Sequence, residues 1–173
     1  MGHGKGEMKM FRTGANKPIA FEAIPGAIQA FFEKNRPFGE QTDIIIGTDS
    51  QNFDQTKFVS VIAVVCHGHG GIFFYEISRK RRINDVKQKL QEETNDSLVL
   101  ATKLIDILTA EPGYEELFLS CPVSIHIDAG NSDRGKTKML IPELVGWIRA
   151  CGYEAKTKPE SFVASTIADR ISK

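Results

Sequence analysis

An α/β domain is what the sequence predicts, on two observations. Three strand-like, β-branched runs follow one another between residues 43 and 78, and from Asn84 the hydrophobic period changes from two to 3.6, after which strand-like and helical segments alternate. The chain has 173 residues. That length suits one domain, because about 70% of the unfolded surface can be buried at this size.

Residues 1–17 are rich in Gly and Lys and read as a flexible tail, so the single domain is expected to span 18–173. Ile24, Ile28, Phe31 and Phe32 recur at helical spacing within Pro18 to Asn35, an accessory helix that Arg36-Pro37-Phe38-Gly39 breaks. Asp43 to Asp49 is a β-branched run closing on a carboxylate. Lys57 to Cys66 and Gly71 to Ser78 follow, joined through His67-Gly68-His69-Gly70, and the three make an antiparallel meander. In the next segment Val86, Leu90, Ser97, Ala101, Leu104 and Leu108 share one face of a long helix that Pro112-Gly113 stops. Val123 to Asp128 is a short apolar strand, and a Gly-rich loop leads from it to a helix over Lys136 to Ala150. Gly152 ends that helix, Tyr153 to Thr157 is a last strand, and Glu160 to Ile171 a last helix.

Composition narrows the function. Twenty-two basic and 22 acidic residues cancel, so nucleic-acid affinity, if present, is local rather than global. The densest cationic run is Arg79-Lys80-Arg81-Arg82, a solvated strand end or a phosphate-binding patch. No apolar run approaches the roughly 20 residues a membrane helix needs, and the N-terminus lacks the apolar core of a signal peptide, so a cytoplasmic location is the expectation. Cys66, Cys121 and Cys151 are odd in number and widely spaced, fitting neither a disulfide framework nor a zinc knuckle, and are expected to be reduced.

The carboxylates are the informative residues. A desolvated carboxylate costs several kcal/mol unless it is paired, hydrogen-bonded or metal-bound. Asp49 and Asp128 each close a strand-like run, and neighbouring parallel strands bring such side chains together at one sheet edge. On the long helix Glu93 shares the apolar face with Leu90 and Ser97, whereas Glu92 projects toward Asp96 and Lys103. On the last helix Phe162, Ser165 and Asp169 form one row, which places Asp169 beside the sheet unless Arg170 or Lys173 neutralises it at the surface. Four acids from strand, helix, strand and helix suit two hard divalent ions such as Mg²⁺ or Mn²⁺ in phosphoryl transfer.

The segments IIIGTDSQ at 44–51, HIDAG at 126–130, GKTK at 135–138 and KPESFVASTIADR at 158–170 give the chain a resemblance to the RNase H-like YkuK family, from the accessory helix to the C-terminus. The resemblance implies a mixed five-stranded sheet, its first three strands antiparallel, with helices on both faces. It further implies a metal-dependent nuclease in which Asp49 is shared by two metals, Glu93 and Asp128 hold the metal on the leaving oxygen, and Asp169 holds the metal that activates water.

Two other readings stand beside this one. Gly130 to Thr137 satisfies GxxxxGK[ST] between a strand and a helix, so Lys136 and Thr137 are candidates for a nucleotide hydrolase. Only one strand and two helices follow it, and Asp128 puts negative charge where phosphates belong. The second is a non-catalytic nucleic-acid-binding module on the same fold. For either nucleic-acid reading the candidate contacts are Ser50, Gln51, Arg79, Lys80, Arg81, Arg82, Lys136 and Lys138, with His126 as an auxiliary group on the face of Asp128. His67 and His69 lack the further ligands of a zinc site, and Phe31, Phe32, Phe73, Phe74 and Trp147 are expected in packing.

Overall fold

Period-two alternation builds the centre of the molecule. In β3 (Thr42–Asn52) and β4 (Thr56–Cys66) the even-numbered Ile44, Ile46, Ile62 and Val64 join the main core, while the odd-numbered Ile45, Val59, Val61 and Ala63 form a smaller core on the other face. The computed structural model describes residues 10–130, 135–161, 166, 167 and 169–171. β5 (Gly71–Lys80) pairs antiparallel with β4, completing the expected meander. β6 (Val123–Gly130) runs parallel to β3, and β7 (Glu154–Lys158) runs parallel to β6.

The sheet has seven strands, not the five expected. β1 (Phe11–Thr13) pairs antiparallel with β5, and β2 (Pro18–Ile19) pairs with β1, giving the order β2-β1-β5-β4-β3-β6-β7. A strand therefore lies within the span read as a tail. Three residues carry too little periodicity to stand out, yet Phe11 is buried in the main core and Pro18 sits on the outermost strand, where a missing N–H costs nothing. The accessory helix starts later than Pro18 as well. A 3-10 turn at Phe21–Ala23 leads into α1 (Ile24–Asn35), whose first turn holds Pro25.

α2 (Val86–Ala110) begins at Asp85, whose carboxylate accepts from the Lys87 and Gln88 amides. Leu90, Glu93, Ser97, Ala101, Leu104 and Leu108 are buried as their spacing requires, but Val86, in the first turn, is exposed. A short α3 (Glu115–Ser120), unforeseen in the sequence, buries Leu117 before β6. α4 (Lys136–Ala150) ends at Gly152, whose φ of 91° suits a residue without a Cβ. α1, α2 and α4 all pack on the even-numbered face. Residues 166, 167 and 169–171 are helical, and Ile167 and Ile171 pack against the odd-numbered face, so helices do cover both sides. Cys66 and Cys121 are buried free thiols and Cys151 an exposed one. Among the described residues no helix is long and apolar enough to cross a membrane.

Candidate active site

The parallel ladder between β3 and β6 stops at the row Gly47–His126. Two residues further along each strand stand Asp49 and Asp128, beyond the end of that ladder and beside an irregularity in β6 between His126 and Gly130. Asp49 does not end its strand, as the sequence suggested. β3 continues to Asn52 because it stays paired with β4 after leaving β6.

α2 brings Glu93 to this opening from the even-numbered face. Ser97 Oγ donates to Thr48 Oγ1 at 2.9 Å, and Thr48 and Ser60 share a 3.0 Å hydroxyl contact, so a buried hydroxyl chain locks the helix against β3 and β4. One turn earlier, Glu93 is 8% exposed, and the Ser50 hydroxyl donates to its Oε1 at 2.5 Å. The Ser50 amide donates to Asp49 Oδ1 at 2.9 Å. Ser50, a candidate phosphate contact, thus ties two acids together. Thr48, Glu93, Thr94, Ser97, His126, Ile127 and Asp128 line one narrow crevice.

The acids feel one another. Burial, then the charges of Asp128 and Asp169, push the Asp49 carboxyl up to about 6, against the pull of the Ser50 amide and the Lys89 charge. Burial pushes Glu93 up to about 8, with Asp49 and Asp128 adding to it and Ser50 and Lys89 opposing. Asp169 is exposed on the C-terminal helical segment and enters this field through Asp49. Asp128 is held by Lys158, whose Nζ lies 2.9 Å from its Oδ1. Lys89 and Lys158 were not singled out in the sequence. Lys89 lies one helical turn before Glu93, a spacing that puts its charge on the same side of α2. Lys158 lies on β7, which the parallel pairing with β6 sets beside Asp128.

His126 is 6% exposed, and burial together with the Lys156 charge lowers it to about 4, so at neutral pH the ring is uncharged beside the crevice.

Pleating divides the basic run. Lys80 is no free cation: its Nζ pairs with Glu92 at 2.7 Å and Asp96 at 3.0 Å and lies over the Phe58 ring, fastening β5 to α2. Arg79 turns to the opposite face, level with Lys57 and Gln51. Arg81 is exposed, while Arg82 donates to the Phe53 carbonyl and to Asn84 Oδ1. Lys138 is exposed in the first turn of α4. The side chain of Lys136 and residues 131–134, the centre of the GxxxxGK[ST] segment, lie outside the described residues.

No three of the His, Cys, Asp and Glu side chains among the described residues are gathered closely enough to ligate one ion as they stand. The donor set nevertheless fits a hard divalent cation. It is all oxygen, and two of its carboxylates are raised by burial and by like charge, which are the penalties such a cation relieves.

A mixed sheet with an antiparallel meander, parallel β3–β6–β7, helices on both faces and acids at the point of strand divergence defines a ribonuclease H-like domain. The Ribonuclease H-like family model matches residues 24–173, and the chain belongs to that family. It is similar to the Uncharacterized protein YkuK of Bacillus subtilis (strain 168), at 29% identity over 171 residues, covering 95% of this chain and 97% of that one. No solved structure matches the chain significantly.

Proposed function

We propose that the chain is a metal-dependent nuclease that cleaves phosphodiester bonds with two divalent ions, Mg²⁺ or Mn²⁺. The supporting observation is that acids from separate elements act on one another's charge: Asp128 and Asp169 raise the Asp49 carboxyl, and Asp49 and Asp128 raise that of Glu93. Like charges are costly to collect, and nothing in the packing of the core calls for them there.

Asp49 would be held in common by the two ions, with Glu93 and Asp128 serving one and Asp169 the other. Ions bound there supply positive charge at the attacking and leaving oxygens of the scissile phosphate. The chain prepares for this in three ways. Glu93 is protonated at neutral pH without a cation and releases that proton on binding one, so cation affinity rises toward pH 8. Lys158 sets a positive charge 2.9 Å from Asp128, which would be left to face phosphate if an ion took its place on that carboxylate. The Ser50 hydroxyl and amide hold Glu93 and Asp49 in fixed relation.

Incubation of the purified chain with labelled RNA, DNA and hybrid substrates, in Mg²⁺ or Mn²⁺ and in EDTA, tests the proposal. Cleavage with either metal and none in EDTA is expected. ATP or GTP turnover that Lys136→Ala abolishes, with no cleavage, points instead to the nucleotide-hydrolase reading. Binding without cleavage under both metals favours a binding module.

A further inference from the structure

The tip of the β3–β4 hairpin carries a second feature, outside the acid cluster. A groove of about 400 Å³ there is lined by Phe53, Asp54, Gln55, Lys57 and Arg79. Phe53 is 55% exposed. Lys57 and Arg79 stand directly opposite each other across the β4–β5 ladder, and among the described residues neither has an ion pair. Like charges directly opposite on a ladder destabilise it, a cost that a bound anion reverses. Asp54, the one acid in the lining, leaves it with a net positive charge.

The hairpin is also rigid. Asn52 Nδ2 donates to the Ile83 carbonyl at 2.9 Å, the Ile83 amide donates to Thr56 Oγ1 at 2.8 Å, and Thr56 Oγ1 donates to Asn52 Oδ1 at 2.7 Å. Arg82 clamps the Phe53 carbonyl from outside. An exposed aromatic on a preorganised turn loses little entropy when something stacks on it. Its place relative to the acids matters as well. Gln51, Lys57 and Arg79 form one row on the face that carries Asp49, two residues further along β3, or about 6.6 Å. That is the scale of one nucleotide.

We infer that this groove docks single-stranded nucleic acid: an unpaired base stacks on the Phe53 ring while Lys57 and Arg79 hold the adjoining backbone phosphate, leading the strand toward Asp49. A duplex keeps its bases in the stack and offers Phe53 no free ring face. The destination of the strand rests on the nuclease reading; the docking itself does not.

Fluorescence anisotropy in EDTA, with labelled single-stranded RNA and DNA oligonucleotides and the matching duplexes, tests binding without cleavage. Single strands are expected to bind more tightly than duplexes. Phe53→Ala should weaken single-strand binding by roughly 5- to 100-fold and leave duplex binding and the melting temperature unchanged, with Phe53→Trp retaining it. Arg79→Ala and Lys57→Ala should each lower the salt slope by about 0.7. A preference for duplex, no binding at all, or parental single-strand affinity in Phe53→Ala overturns the inference. Single-strand binding through Phe53 in a protein that never cuts keeps the inference and sinks the nuclease reading; cleavage without it does the reverse.

Discussion

Asp49→Asn is expected to cut nucleic acid at least roughly 10²- to 10⁴-fold more slowly than the parent in Mg²⁺ or Mn²⁺, the range that several kcal/mol of charge stabilisation at the reacting phosphate represents. The amide keeps the shape of the carboxylate and its contact with the Ser50 amide while removing the charge at the centre of the cluster. Its neighbours lose a repelling charge, so the variant should fold at least as well as the parent. Initial rates on one substrate, with circular dichroism of both proteins, measure the two quantities. A parental rate in the variant removes Asp49 from the chemistry.

The second large effect is on stability. Glu93 has its folded carboxyl raised to about 8 and Asp49 to about 6, both above their unfolded values of 4.5 and 3.8. Between about pH 4 and pH 8 the native state therefore holds more protons than the unfolded chain, and stability falls as pH rises. Glu93→Gln removes most of that slope while keeping an acceptor for the Ser50 hydroxyl. Without metal the variant should exceed the parent by on the order of 4 kcal/mol at pH 8.5, and the gap should close toward pH 4, where both side chains are neutral. Denaturant melts across pH measure it. A gap independent of pH, or one that widens in acid, contradicts the burial of an ionisable Glu93 beside other acids.

Much of this was legible because it depends on period. The β-branched runs of β3 to β5 and the 3.6-residue spacing through α2 fix which side chains face inward, and that distinction separates Glu93 from Glu92 in the sequence as it does in the fold. Phe11–Thr13 was not legible, because three residues hold no period and join the main sheet through tertiary contact with β5. Nor were the cation partners. Whether Lys80 is a free phosphate ligand or a brace between β5 and α2 depends on Glu92 and Asp96 lying opposite it, and Lys158 meets Asp128 only because β7 joins the sheet beside β6. The extension of β3 past Asp49 was hidden for the same reason, since the strand is held there by β4 alone.

The acids around Asp49 are expected to form a divalent-cation site, and thermal melts at pH 8 with and without Mn²⁺ test this without knowledge of the substrate. An ion at a hundred times its dissociation constant stabilises the native state by about 2.7 kcal/mol, so the parent's melting temperature should rise by several degrees and saturate, while that of Asp49→Asn should stay where it was. A parent indifferent to Mn²⁺, or an equal rise in both proteins, contradicts it.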